Sequence, residues 1–225
     1  GSEMCIRDSN LPYLGNGAGP ALREFGLQPA EGTPLPWWAQ DMPLPMGLLT
    51  SDKINTVSEG YAQEILTEPF GSGLHEFLAT RLPDLSGIPN GLDLDRWNPA
   101  TDPALNENYN SAGLMPRQTN KLVLLKELGL DPDLKPALLG FIGRMDRQKG
   151  VDIAIEALRK IADLSWQAVI LGSGDSEIEG WVRGLAHEFP NRVHAAIRYD
   201  EALSRRILGG LSLIHISEPT RLRRI

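Results

Sequence analysis

Residues 138–197 read LLGFIGRMDRQKGVDIAIEALRKIADLSWQAVILGSGDSEIEGWVRGLAHEFPNRVHAAI, and this stretch decides the fold. It opens on Leu138–Gly143 (LLGFIG), a continuous apolar run of the kind that forms buried parallel strands. Val151–Leu164 follows, with apolar residues at 151, 154, 155, 158, 161 and 162, which is helical spacing. Gln167–Gly172 (QAVILG) reads as a second buried strand. Ser176 and Glu179 stand in capping-box relation at the head of a helix whose apolar face is Ile178, Trp181, Val182, Leu185 and Phe189. Arg192–Ile197 supplies a third strand. Strand, helix, strand, helix, strand with short loops predicts a parallel α/β unit. In such sheets ligands bind beyond the C-terminal ends of the strands.

Upstream the pattern is looser. Residues 10–50 are rich in Gly and Pro, with a short helix expected at Gly19–Phe25 and loop elsewhere. Asp52–Val57 (DKINTV) reads as a strand, and Ser58 as the N-cap of a helix at Glu59–Leu66. Gly71-Ser72-Gly73 turns the chain into a helix at Leu74–Arg81. Ser86–Pro89 is a short candidate strand, and Asn90-Gly91 is a turn signal. Residues 98–118 are polar and punctuated by proline, as expected of a long surface connection. Asn120–Leu128 (NKLVLLKEL) predicts a helix stopped by Gly129.

The ends do not match the middle. Residues 1–9 (GSEMCIRDS) and 211–225 (LSLIHISEPTRLRRI) resemble translated sequencing-adapter read-through rather than a signal peptide. A native tail with a short strand at Leu213–Ile216 is the alternative. Setting the ends aside removes Cys5 and leaves residues 10–210 without cysteine, which excludes cysteine nucleophile chemistry there.

Composition narrows the function further. Among 225 residues, 41% are hydrophobic and 23% charged, a globular rather than disordered composition. A net charge of −7 argues against a nucleic-acid partner. No apolar run approaches the roughly 18 residues of a membrane-spanning helix. One cysteine excludes a disulfide scaffold and a Cys-based zinc site. A cytoplasmic globular protein is the expectation.

Candidate chemistry gathers at the three strand ends. The first carries GRMDRQKG (residues 143–150), with Arg144 and Lys149 leading into a helix N-terminus. Two cations beside free backbone N–H groups suit a diphosphate, although a solvated basic loop accounts for the same residues. Gly150 after Lys149 rules out a Walker A loop. The second end carries Gly172, Ser173 and Gly174; the glycines permit close approach of a ligand, or simply make a βα turn. The third carries Arg198, Tyr199, Asp200 and Glu201, where Tyr199 is positioned either to stack on a base or to pack. His75, His187, His194 and His215 have no metal-ligand partner at helical spacing, so no metal is expected. Asp93 and Asp95 fit acid/base work or a turn equally. Trp37, Trp38 and Trp97 fit a sugar platform or loop packing.

Taken together, these motifs resemble bacterial glycogen synthase (starch synthase), a retaining glycosyltransferase family of GT-B type with two Rossmann-like domains. The resemblance runs from Asn10 to about Gly210. It rests on TVSEGYAQEI (56–65), IPNGLD (88–93) with WNPATD (97–102), residues 143–150, residues 171–175 and YDEA (199–202). It implies that residues 10–98 close an acceptor-side domain and 99–210 connect to and begin a nucleotide-sugar-binding domain, both incomplete, with 1–9 and 211–225 outside them. It further implies that Arg144 and Lys149 hold the donor diphosphate and stabilise charge on departing ADP. Asn90 would lie near the sugar site, Gly172, Ser173 and Gly174 would line the nucleotide, and Tyr199 would sit near the adenine.

The implied reaction passes glucose from ADP-glucose to the non-reducing end of an α-1,4-glucan, with no bound metal or other cofactor and no nucleic acid or membrane. Donor choice between ADP-glucose and UDP-glucose, and oligomeric state, stay open. The family's glycine-rich Lys-Thr-Gly-Gly-Leu loop, its His-Asn-Leu histidine and its Glu-Pro-Cys-Gly-Leu segment are absent from these 225 residues. The chain by itself is therefore expected to be inactive. Another GT-B transferase, or a non-catalytic nucleotide- or glycan-binding module, is the alternative.

Overall fold

A computed structural model describes residues 4–8 and 10–211. The candidate strand at Leu213–Ile216 and His215 lie outside them. The chain forms two compact units that part between Leu92 and Asp93, so the segment from Asp93 to the expected boundary at 98/99 goes with the second.

The first unit is a parallel three-stranded sheet of β1 (Cys5–Asp8), β2 (Lys53–Thr56) and β3 (Leu85–Gly87), in that order. Its register aligns Ile6 with Ile54 and Ile54 with Leu85. Around it lie α1 (Gly19–Glu24), α2 (Pro43–Thr50), α3 (Glu59–Glu64) and α4 (His75–Thr80). Leu11, Leu48, Ile54, Ile65, Leu74 and Leu78 make its core. Ser58 caps α3 as the sequence indicates, its hydroxyl accepting from the Tyr61 N–H at 3.0 Å. Cys5–Asp8, set apart by sequence, pairs along β2. Asn90-Gly91 adopts no hairpin turn; the chain runs on irregularly from β3, because parallel strands leave no hairpin to close.

The second unit is a three-layer α/β arrangement. Its sheet has β5 (Trp166–Gly172) at the centre between β4 (Ala137–Ile142) and β6 (Val193–Ile197), all parallel. Side chains alternate along β5. Ala168 and Ile170 join the core with α6 (Val151–Lys160) and α7 (Ser176–Glu188), whereas Val169 and Leu171 join the core with α5 (Pro116–Glu127) and α8 (Glu201–Gly210). Helices cover both faces, which is why Ala168–Leu171 of β5 are apolar in succession rather than at alternate positions; Gln167 is buried too, its Nε2 donating to Asp131 O at 2.6 Å.

Several expectations are corrected. Leu138–Gly143 is not a fully buried strand: among the described residues β4 is an edge, and Leu139 and Ile142 are each 39% exposed. The helix expected at 120 begins at Pro116, whose fixed φ and missing N–H suit a first turn. The helix expected to reach Leu164 ends at Lys160. Ser176 does not cap α7. Asp175 does, accepting from the Glu177 and Ile178 N–H groups, and Glu179 reaches back to the Gly174 N–H at 3.0 Å. Residues 98–118 are not wholly surface, because Asp102 and Leu105 are buried. Residues 201–210, given no element from sequence, form α8.

Candidate functional site

The three turns that follow β4, β5 and β6 meet at one end of the second sheet and enclose a cleft of about 410 Å³. Arg144, Gly172, Ser173 and Tyr199 line it, joined by Arg96 and Trp97 from the connecting segment. Lys149 and Gly174 stand in the same turns without lining the cleft. Asn90 belongs to the first unit, where its Oδ1 accepts from Arg7 Nη2 at 2.8 Å.

The first two turns are zipped together by main chain. The Gly143 N–H donates to Leu171 O at 3.0 Å, the Met145 N–H to Ser173 O at 3.0 Å, and the Asp175 N–H to Met145 O at 2.8 Å. A Cβ on Gly172 would lie 1.8 Å from Gly143 O, and one on Gly174 would lie 2.5 Å from Met145 O. The close approach that these glycines permit is therefore that of the neighbouring turn. Met145 is fully buried beneath the zipper and fixes the residues on either side of it.

Asp146 organises the rest of the first turn. Its Oδ1 accepts from the Lys149 N–H at 2.9 Å, closing a short 3-10 turn at Arg147–Lys149. Its Oδ2 lies 3.4 Å from Arg144 Nη2, a loose and largely exposed pair. Gly150 then takes a left-handed conformation (φ 70°) that launches α6. No side chain caps α6, so its first N–H groups stay open to a ligand. Among the described residues nothing pairs with the Lys149 ammonium. A loosely paired guanidinium, an ammonium without a partner among the described residues and an open helix N-terminus in one turn suit a diphosphate.

The third turn is fixed differently. Asp200 Oδ1 accepts from the Leu203 N–H at 2.8 Å and caps α8, while Oδ2 takes Arg198 Nε and Nη2 at 3.1 and 3.0 Å. The Leu203 N–H, with Arg198 assisting against desolvation, holds this carboxyl below the usual carboxylate range. Tyr199 projects from the apex of this turn, 85% exposed and without a ring contact among the described residues. Glu201 pairs with Arg96. Trp38 packs against the first core and Trp37 is exposed, so of the three tryptophans considered as a platform only Trp97 lines this cleft.

Sequence reasoning missed Arg96. It sits in a polar connection with no periodic pattern and reaches the cleft only through the fold. The α8 helix did have a local signal, Asp200 three residues before Leu203 with Ile207 one turn on.

A model of the starch synthase catalytic domain matches residues 10–80. The glycogen synthase of Nitrosomonas eutropha is 41% identical over 204 residues, 89% of this chain and 40% of that protein. Soluble starch synthase 1 of Solanum tuberosum is 35% identical over 218 residues, 91% of this chain and 34% of that protein. Among solved structures, the catalytic domain of starch synthase IV from Arabidopsis thaliana, bound to ADP and acarbose, superposes with a TM-score of 0.81 at 32% identity, covering 93% of this chain and 44% of that one. The chain belongs to the glycogen and starch synthase family. It spans about two fifths of the curated relatives it matches first. The synthase match also carries the fold class, GT-B, of which each unit here is a Rossmann-like part. No helix of this synthase stretch is long and apolar enough to cross a membrane, among the described residues.

Proposed function

We propose that the second unit binds the nucleoside diphosphate of a glucosyl donor, ADP-glucose, within a retaining synthase that extends an α-1,4-glucan. The observation that carries this reading is the meeting of Arg144, Gly172, Ser173 and Tyr199 on one cleft, with Lys149 and the open N-terminus of α6 in the turn that Arg144 begins. The ADP-bound solved relative supports it.

In this reading Arg144 and Lys149 hold the diphosphate, Gly172, Ser173 and Gly174 present backbone beside the nucleotide, and Tyr199 stacks on the adenine. Asn90 serves the sugar from the first unit. The bond between the glucosyl C1 and the diphosphate oxygen breaks, and C1 joins the O4 of the acceptor's non-reducing end, whose proton leaves. The electron pair stays on ADP, where the two cations stabilise it most as the bond opens. The reading includes no metal or further cofactor, and it places the protein in the cytoplasm. Without the Glu-Pro-Cys-Gly-Leu segment, the chain by itself holds the nucleotide and transfers nothing.

Calorimetric titration of the 225-residue chain with ADP tests this. ADP should bind, UDP should bind more weakly, and Arg144→Ala and Lys149→Ala should each weaken ADP by roughly tenfold or more. Failure of ADP to bind overturns the reading, and preference for UDP corrects the donor. Glucose incorporated into glycogen by the chain alone would overturn the inactivity.

A further inference from the structure

The connecting segment 93–109 does not merely link; it is strapped to α8. Four residues hold it, Glu201, Arg205 and Gly209 of α8 and Asn120 of α5. Arg96 pairs with Glu201 at the head of α8. One turn on, Arg205 lies 3.5 Å from the buried carboxylate of Asp102 and also reaches Arg96 O at 3.5 Å. Leu105 lies on α8 where Gly209 leaves room: a Cβ there would stand 2.6 Å from Leu105 Cδ2. From the other side, buried Asn120 of α5 grips Glu107, accepting from its N–H at 2.9 Å and donating to its O at 2.7 Å. The two ends of the strap differ in what they do. At the 102–107 end the side chains of Asp102 and Leu105 are buried, whereas Arg96 and Trp97 form a wall of the cleft.

We propose that Glu201 and Arg205 are positioning residues, which hold the connecting segment on α8 and so fix Arg96 and Trp97 as a ready-made wall of the nucleotide cleft. The proposal rests on the nucleotide reading of that cleft and extends it. Two ion pairs at positions 201 and 205 share one face of α8. Together they set the height of the strap before any ligand arrives, so that binding need not order it. Asp200, next to Glu201, caps the same helix one residue after Tyr199.

The test combines amide hydrogen exchange over residues 94–109 with ADP titration of the whole chain. Glu201→Gln and Arg205→Met should each speed exchange in that segment and weaken ADP by roughly fivefold; the thermal midpoint of the second unit should be little changed in Glu201→Gln and lowered in Arg205→Met, which leaves the buried Asp102 carboxylate without its cation. The charge-reversed pair Arg96→Glu with Glu201→Arg should slow exchange again and recover most of the affinity. Unchanged exchange in the single variants overturns the proposal. So does faster exchange with unchanged ADP affinity. If the reversed pair restores exchange but not affinity, Arg96 meets the ligand itself and the positioning role falls. Absence of ADP binding by the unaltered chain overturns the nucleotide reading and this proposal with it, whereas bound ADP with indifferent variants overturns the strap alone.

Discussion

The turns after β4 and β6 leave the same sheet on the same side, yet they are finished in opposite ways. After β6, Asp200 closes the helix that follows and neutralises Arg198. After β4, Asp146 is spent on a 3-10 turn, Gly150 starts α6 without a side-chain cap, and Arg144 is only loosely paired. The turn after β5 resembles the third, with Asp175 as its cap. A helix whose own carboxylate satisfies its N–H groups is self-sufficient, whereas one left open is arranged for an outside anion. On the proposed reading, this difference assigns the charge of the ligand to the turn after β4.

The largest break comes from the zipper that joins the turn after β4 to the turn after β5. Gly172→Ala should cost about 3 kcal/mol, because its methyl group meets the Gly143 carbonyl and neither strand end can move freely. Urea denaturation measures it, and a cost under half that size would show the turns to be independent. Next in size, Arg144→Ala should leave stability unchanged while ADP affinity falls by about 2 kcal/mol, roughly thirtyfold, as befits a charge-assisted contact made only with ligand. If stability falls instead, the turn after β4 is structural and the contrast disappears.

The converse belongs to Asp200→Ala, which should cost about 1 kcal/mol of stability by loss of a cap. Because its carboxyl titrates below the usual range in the folded state, its contribution is present above the ordinary carboxylate pKa of 3.8 and is lost as pH falls through the lower folded value. Denaturation midpoints between pH 6 and pH 2.5 should therefore converge for the variant and the parent at the acid end. Persistence of the difference there would assign the effect to packing. Smallest of all, Arg147→Ala removes a 3.5 Å pair with Glu177 between two exposed side chains and should change stability by less than about 0.5 kcal/mol.

Much of the second unit was legible because its signals are local. Periodicity in 151–160 and 176–188 places two helices, and the apolar run 168–171 places the central strand. Arg144 and Tyr199 could be singled out because each follows a strand directly. The misreadings share one cause, dependence on neighbours far along the chain. Leu139 and Ile142 look like core residues, yet β4 has a strand on one side only among the described residues. Ser176 and Asp175 are both good caps in sequence, and the zipper to Met145 determines which one faces the helix end. In the first unit, loops rich in Gly and Pro leave little periodicity to read and α2 reads as loop, yet the expected helices at Gly19–Phe25, Glu59–Leu66 and Leu74–Arg81 and the strand at Asp52–Val57 form in slightly shortened versions, with Ser58 as the cap.

By itself the sequence determined the kind of fold and the order of its strand-end turns, since hydrophobic period, caps and glycines act over a few residues. Only the tertiary structure decided that Gly172 and Gly174 serve a neighbouring turn, that Arg96 joins the cleft across about a hundred residues from Glu201, and that α6 alone of the three helices after the sheet strands lacks a side-chain cap. Those outcomes depend on distances between atoms remote in the chain, which packing sets and local propensity does not.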